Sequence, residues 1–320
     1  MYNSTSGNNN TAVGTYALYS NKANSRSTAV GFDAMYWSDD RITGRETHST
    51  TVGYEALKGS SKPANNTGQY NTAVGDGALI NATSGCYNTA CGTGTLLNNK
   101  TGYNNVAIGV DACKEADSYN NTCVGTSAGY VGSFTSSTSL GAYAGILSSP
   151  FTNCMALGYN ASVSANNKVV IGNTSVNSIG GFAGWSNFSD GRFKKNVREG
   201  VPGLEFIRFL RPVIYSLDVT ALNADQCKNL NEERGDGRPA KIISQEELDG
   251  IRSKENLTYS GFIAQEVEAA AKKIGYDFNG VDAPGNPNDY YGLRYGEFAA
   301  PLVKAIQEQQ VEIEQLKAEN

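Results

Sequence analysis

The residues best suited to chemistry in this 320-residue chain lie in one short stretch, SDGRFKKN, at positions 189–196. A serine hydroxyl is a weak nucleophile unless a neighbouring base takes its proton. The single histidine, His48, lies far upstream and disfavours a Ser-His-Asp triad, so any base would be a lysine or a carboxylate. A lysine acts as a base only where burial or nearby cations favour its neutral form, and Lys194 has Arg192 and Lys195 beside it. An exposed basic turn without chemistry is the alternative.

The composition of the chain changes at this stretch. Residues 1–188 carry 9 Lys/Arg and 9 Asp/Glu, whereas residues 189–320 carry 17 and 22, which together give the 26 and 31 of the whole chain. This mildly acidic balance predicts no nucleic-acid partner, and the lack of a run of about 18 apolar residues predicts no membrane insertion. The start, MYNSTSGNNN, has neither a basic nor an apolar region, so we expect no signal peptide.

The first 172 residues consist of internal repeats. Each repeat holds Thr-Ala-Val-Gly or a variant, followed by an apolar segment around Ala-Leu, and most repeats are 16 or 17 residues long. This period predicts β-solenoid coils with two short strands each, in which alternate strand residues point inward. The shared glycine is predicted to adopt a positive φ or to permit close approach of coils. It recurs at Gly14, Gly31, Gly53, Gly75, Gly92, Gly109, Gly125, Gly141, Gly158 and Gly172.

The repeats at 10–172 resemble the head domains of trimeric autotransporter adhesins, which are built from AxAxG-type repeats. The resemblance implies a left-handed parallel β-roll that assembles as a homotrimer. Coils this thin have little core and would gain by sharing one, whereas a monomeric solenoid is the alternative. We therefore expect a β-roll shaft or head at 1–172, a glycine-rich junction at 173–188 and a separate domain at 189–320.

The pattern downstream of the junction predicts an α+β domain. Residues 203–211 read as a short amphipathic helix before a strand, and residues 259–275 read as strand, turn and helix. Residues 220–258 read as a long polar loop with one helix near 244–252. Gly275, at the end of the third helix, is typical of a helix C-terminus.

The last helix is predicted from about Gly296 to the end of the chain. Its apolar positions step by four and three, which is the a/d spacing of a coiled coil. A helix with fewer than three heptads could stabilise a trimer whose main contacts lie elsewhere in the chain. The alternative is that the helix packs on its own domain. The a/d positions are Leu302, Ile306, Gln309, Ile313 and Leu316.

Four stretches follow one another in residues 189–320. They are SDGRFKKNV (189–197), LRPVIYSLD (210–218), GFIAQEVE (261–268) and LRYGEFAAPLVKAIQEQQVEIEQLK (293–317). In this order they closely resemble the C-terminal intramolecular chaperone of phage tail fibres and tailspikes, of the endosialidase type, which is also a self-cleaving peptidase.

This resemblance implies that the chain cuts itself between Phe188 and Ser189. Ser189 matches the nucleophile of the family and Lys194 its general base, so the implied enzyme is a serine endopeptidase that acts once on its own chain. No cofactor and no metal is implied. The rest of the signature is matched by Asp190, Arg192 and Asn196.

The sequence therefore predicts a trimeric viral fibre or adhesin, made in the host cytoplasm and carried on the virion. Its C-terminal domain would drive trimerisation and then release itself. The alternatives are an uncleaved trimer with that domain as a permanent cap, and a glycan-degrading enzyme, which the scattered carboxylates of residues 1–188 disfavour. A host surface glycan or receptor is an expected partner, and the aromatic residues that could contact it are Tyr16, Tyr36, Trp37, Tyr54 and Tyr143.

The six cysteines show no CxxC spacing, and with a single histidine they predict no zinc site. Cys91 and Cys123 occupy repeat positions that elsewhere hold valine or alanine. We expect both to pack as small buried apolar residues, as free cysteines in a reducing compartment commonly do.

Overall fold

The computed structural model describes residues 1–130, 134–146, 150–233 and 245–319. The chain forms two compact units. The first contains residues 1–176 and a segment that begins at Ala221, and the second contains residues 177–220 and the described residues from Gln245 onward.

A parallel β-solenoid of about nine turns fills the first 172 residues and confirms the predicted repeat architecture. Its main sheet has ten strands that pair in the order β1-β2-β3-β4-β5-β6-β7-β8-β10-β12, and β9 pairs with β11 beside it. The strands are β1 (Thr11–Val13), β2 (Thr28–Val30), β3 (Thr50–Val52), β4 (Thr72–Val74), β5 (Thr89–Cys91), β6 (Val106–Ile108), β7 (Thr122–Val124), β8 (Thr138–Leu140), β9 (Gly145–Ile146), β10 (Met155–Leu157), β11 (Ser162–Val163) and β12 (Val169–Ile171).

The alternation of side chains in the main sheet follows the prediction. The middle residue of each strand faces inward, and Ala29, Ala73, Ala90 and Ala107 are fully buried there. The third residue faces outward, and it forms a column of aliphatic side chains along the sheet, which we call the outer aliphatic column. Its exposed members are Val13, Val52, Val74, Ile108, Leu140 and Ile171.

The glycine after each strand allows neighbouring coils to approach closely. Gly31 has φ 137°, and a Cβ added there would lie 2.2 Å from the carbonyl oxygen of Gly53. Both features confirm the predicted role of the repeat glycine, because no other residue tolerates this conformation and this contact together.

The predicted second strand of each coil is wrong for most of the solenoid. After the glycine the chain forms a turn with left-handed residues at alternate positions, such as Tyr16 (φ 60°) and Leu18 (φ 52°). These conformations interrupt an extended strand, but the backbone still bonds to the next coil, as from Leu18 N to Ala34 O (3.0 Å). Among the described residues of the solenoid, only β9 and β11 form a second pair of strands.

Buried asparagines immediately before the strands join successive coils. The side chain of Asn105 accepts from Asn121 N (3.0 Å) and donates to Asn88 Oδ1 (3.0 Å) and Ser118 O (2.7 Å). Asn88 makes the same set of bonds one coil earlier, to Asn71 and to Gly102 O. We call the residues Asn71, Asn88, Asn105 and Asn121 the asparagine ladder. It pairs backbone groups that would otherwise be buried without partners.

Cysteines in the solenoid only partly follow the prediction. Cys123 occupies the inward position of β7 and is buried, but it forms a disulfide with Cys113, whose Cα lies 5.9 Å away. The prediction for Cys91 is wrong, because the third position of β5 faces outward and its side chain is exposed.

The second unit is an α+β assembly around a small aromatic core. Two antiparallel strand pairs, β13 with β14 and β15 with β16, accompany the helices. Phe206, Val267, Phe278 and Phe298 are the largest side chains of the buried core. The helices and strands of the chain after the solenoid are α1 (Leu204–Ile207), β13 (Val213–Tyr215), α2 (Val219–Glu233), α3 (Gln245–Glu255), β14 (Tyr259–Gly261), α4 (Ala264–Lys273), β15 (Val281–Asp282), β16 (Gly292–Leu293) and α5 (Ala299–Glu319). From Ala221 onward α2 belongs to the first unit, and the other elements belong to the second.

The predicted order of strand β14, turn, helix α4 and Gly275 is confirmed, as is the final helix. The first helix is shorter than predicted. The predicted loop at 220–258 is wrong over α2, because alanine, leucine and glutamate favour a helix there despite the polar composition. Thr220 N, in the first turn of α2, donates to Glu255 Oε1 (2.8 Å), which satisfies one unpaired donor of that turn.

Replacing Asn105 by alanine should destabilise the solenoid by about 2–4 kcal/mol, because Asn121 N and Ser118 O lose their partners inside the coil stack. Urea unfolding of the full chain measures the loss. Asn98→Ala is the matched control, because this asparagine bonds to Asn81 and to the exposed Glu115. Equal stability of the two variants would contradict a structural role for the ladder.

Candidate self-cleavage site

A single turn of 3-10 helix, Gly191–Phe193, organises the stretch that the sequence singled out. Asp190 precedes it in an extended conformation, and its carboxylate accepts from Arg192 N (2.9 Å), as an N-cap residue does. Lys194 ends the turn and donates its backbone N–H to Gly191 O (3.2 Å). Residues on either side of the turn are thereby brought close together.

The turn places the side chains of Ser189 and Lys194 in contact. Lys194 Nζ donates to Ser189 Oγ at 2.8 Å, within the range expected for a nucleophile and its base. The sequence predicted these two residues as the catalytic pair, and the structure brings them together. Their catalytic roles remain a prediction.

Asp190 and Arg192 form a two-pronged ion pair that fastens the turn. Arg192 Nη2 lies 2.6 Å from Asp190 Oδ2, and Arg192 Nε lies 3.1 Å from Oδ1. Hydrogen bonds from Arg192 lower the pKa of Asp190, and the same bonds raise the pKa of Arg192. Because the pKa of this carboxyl is lowered, the pair is fully formed at neutral pH and is lost only as the pH falls through that lowered value.

Two aromatic rings stand on either side of the expected cleavage point. The rings of Phe188 and Phe193 are 5.7 Å apart, and the guanidinium of Arg192 lies 5.7 Å from the Phe193 ring. Phe193 is a contact that the sequence analysis did not assign, although it lies inside the signature. Asn196, the last signature residue, has φ 57°, a left-handed conformation that asparagine adopts more readily than most residues.

The whole segment around the turn is exposed in the single chain. Residues 177–201 are all exposed apart from the half-buried Asp190. Several large apolar side chains belong to this segment, and Phe188 retains 80% of its accessible surface. The turn therefore has the geometry of a Ser–Lys pair without the dry surroundings that favour a neutral lysine. The exposed large apolar residues are Ile179, Phe182, Trp185, Phe188, Phe193, Val197 and Val201.

A contact between α1 and α5 anchors the chain downstream of the turn. Glu308 Oε2 accepts from Leu204 N (2.7 Å) at the first turn of α1, and a Cβ on Gly203 would lie 2.8 Å from Ala305 N. The role of Glu308 was not predicted from the sequence. In the sequence Glu308 is only a carboxylate on the final helix. Nothing in the sequence indicates a bond to Leu204, which lies 104 residues away.

Among the described residues, no group of three or more His, Cys, Asp or Glu side chains could hold a metal ion. Within the same part of the chain, no helix is long and apolar enough to cross a membrane. No protein-family model matches the chain, and no curated protein matches it. The geometry of the turn is therefore the main structural guide to function.

If the chain cuts itself as the sequence predicts, replacing Asp190 by alanine should slow the cut roughly tenfold or more, because the turn loses both its cap and its ion pair and the side chains of Ser189 and Lys194 separate. The cut fraction is measured over time by denaturing intact mass. Lys195→Ala removes a neighbouring charge outside the cap and the ion pair, and it should leave the rate nearly unchanged. If both variants are cut at the wild-type rate, the ion pair has no positioning role.

Proposed function

We propose that the chain is a trimeric viral fibre or adhesin protein whose C-terminal unit drives trimerisation and then releases itself by cutting between Phe188 and Ser189. In this proposal the solenoid is a left-handed, trimeric β-roll on the virion. The observation that carries the proposal is the 2.8 Å contact between Lys194 Nζ and Ser189 Oγ at the expected cleavage point. The second unit acts as an intramolecular chaperone of the type that residues 189–320 resemble.

The cleavage chemistry needs only the two side chains and water. The neutral amine of Lys194 takes the proton of Ser189 Oγ, and this oxygen bonds to the Phe188 carbonyl carbon. The C–N bond then breaks, and the departing α-amine of Ser189 takes the proton from Lys194. Water hydrolyses the resulting ester, which leaves a Phe188 carboxylate and restores the Ser189 hydroxyl.

Assembly would control the reaction through burial. A lysine surrounded by water keeps its proton, and desolvation favours the neutral amine that the first step requires. The exposed rings of Trp185 and Phe188 supply apolar surface with which a second and third copy of the segment can cover the turn. Cleavage then follows correct assembly and not synthesis alone.

Two exposed apolar rows support the trimer. The outer aliphatic column follows the sheet of the solenoid, and the a/d row of α5 is exposed, with Ile306 at 64% and Ile313 at 45%. In the second half of α5 every described residue from Gln309 to Glu319 is exposed, so this half does not pack on its own unit. Apolar rows of this kind are typical of surfaces that associate.

The first prediction is that the wild-type chain yields two fragments, one ending at Phe188 and one starting at Ser189, whereas Ser189→Ala and Lys194→Ala stay whole. Intact mass under denaturing conditions measures this, and Lys195→Ala is the control that keeps both reacting groups. A wild-type trimer that stays whole would contradict the self-cleavage proposal, and the C-terminal unit would then be a permanent cap.

The second prediction concerns the a/d row. Ile313→Asp should shift the protein from trimer towards monomer and should lower the cut fraction, because a buried carboxylate at an a position is costly. Val311→Asp is the matched control, since Val311 occupies an f position two residues away with 53% exposure. Light scattering after size exclusion gives the oligomeric state. Trimers of undiminished stability in both variants would refute the proposed role of the helix.

A further inference from the structure

The N-terminal end of the solenoid is covered along only one half of its first coil. Residues 1–8 lie along the half that follows β1, where Thr5 N donates to Lys22 O (2.7 Å). The other half contains β1 and the start of the turn after it. Among the described strands, β1 pairs only with β2, so one of its two edges has no strand beside it. We call residues 11–16 on this side the open edge.

Two backbone donors of the open edge have no partner in the part of the chain that the structure describes. In the second coil, Gly31 N donates to Val13 O (2.8 Å), and Asp33 N donates to the first coil in the same way (3.1 Å). Gly14 and Tyr16 occupy the same positions one coil earlier, and no described residue accepts from either N–H. Their φ angles, 122° and 60°, are close to the 137° and 54° of Gly31 and Asp33. Because β1 and β2 are parallel and in register, both N–H groups point away from the second coil.

The side chains at the open edge are less covered than their equivalents in the next coil. Ala29, the inward residue of β2, is fully buried, whereas Ala12 at the same position of β1 is only half-buried. Tyr16 is 50% exposed, and Asp33 at its position in the second coil is 8% exposed. The open edge is therefore an uncovered coil–coil interface, of the kind that is buried along the rest of the main sheet.

The open edge has none of the devices that usually keep exposed strand edges from pairing. Such edges are commonly protected by charged side chains or by proline, and residues 1–20 contain no Asp, Glu, Lys, Arg or Pro. The terminal ammonium of Met1 is used within the coil, because it donates to Ala17 O (3.1 Å). The opposite end of the solenoid differs, since a Cβ added to Gly172 would come within 2.5 Å of the Val176 side chain. The open edge is therefore suited to accept a further strand.

We propose that the open edge binds one parallel strand from a neighbouring protein of the fibre assembly, in a segment with the sequence pattern x-Ala-x-Gly. Carbonyl groups of the added strand accept from Gly14 N and Tyr16 N, so main-chain hydrogen bonds supply the attachment. Its second residue is small, because that side chain lies over Ala12 inside the stack. Its fourth residue is glycine, because a Cβ there would meet the Gly14 carbonyl, just as a Cβ on Gly14 would lie 2.6 Å from Gly31 O.

Fluorescence anisotropy with the full-length protein tests this inference. The probe is a labelled synthetic peptide, NTAVGDGAL, which copies residues 71–79 and thus contains the sequence of β4. We expect saturable binding of this peptide. The peptide variants Ala73→Leu and Gly75→Val should bind more weakly by roughly tenfold or more, because each adds atoms where the stack has no room. In the protein, Ala12→Glu should weaken binding to a similar extent, because its carboxylate would be buried under the added strand. Thr89→Glu, on the outward side of an internal strand, is the matched control and should change nothing.

Amide hydrogen exchange of the unmodified protein locates the binding site without relying on a variant. Residues 11–18 should exchange faster than residues 28–35 of the next coil, and the peptide should slow the exchange of residues 11–18. The absence of saturable binding, equal binding of the three peptides, or unchanged exchange of residues 11–18 would overturn the inference. Slow exchange of residues 11–18 without peptide would also overturn it, because the edge would then already be covered, as by a second copy of the chain.

The inference depends on the proposed fibre role only for the source of the strand, and it is independent of self-cleavage. Light scattering and intact mass of the same samples report trimerisation and cleavage separately. A failed peptide titration with an intact trimer and a normal cut therefore leaves the proposed function standing. The reverse result leaves the open edge standing as a site for strand addition.

Discussion

Hydrogen bonding between successive coils is the constraint on which the solenoid depends. Each coil buries mostly alanine in its main strand and a few more apolar side chains, such as Leu79 or Leu96, in the turn that follows, so apolar burial by one coil is small. The asparagine ladder and the glycine contacts fix each coil against the next at one register. A slip by one residue would turn the inward alanines outward and place threonine and valine inside. The register between coils is therefore set by buried polar groups whose hydrogen bonds are all made within the solenoid.

Because the core of each coil is small, apolar side chains remain exposed on the surface. The inward position of the main strands holds mostly alanine, and valine, isoleucine and leucine occupy the outward strand position and remain exposed along the sheet. The second unit shows the same imbalance, because α5 buries Pro301 and Ala305 near its start and exposes its a/d row beyond them. Each unit thus leaves an ordered apolar row uncovered in the single chain. An uncovered apolar row in both units is the reason to expect association between chains.

The sequence predicted those features that repeat locally and missed those that depend on neighbours in space. The inward alanines and the glycines with positive φ follow from the repeat period alone. The second strand failed because Leu18 and Met35 adopt left-handed conformations, which their types do not favour. The Cys113–Cys123 disulfide was missed because it joins a turn position of one coil to a strand position of the next. Polar composition concealed α2, whose first turn bonds to Glu255, 35 residues further along the chain.

The candidate site likewise combines a local feature, which the sequence predicts, with a feature that depends on distant groups. Contact between Ser189 and Lys194 is local, since one turn and one ion pair between Asp190 and Arg192 suffice to create it. The signature residues encode it within a span that sequence reading can follow. In the proposed reaction, burial of the lysine is not local, because it would require surface from other copies of the chain. A reaction with local geometry and assembly-dependent surroundings would stay inactive until assembly. That separation would allow the proposed protein to contain its own cutting site and still fold intact before it is cut.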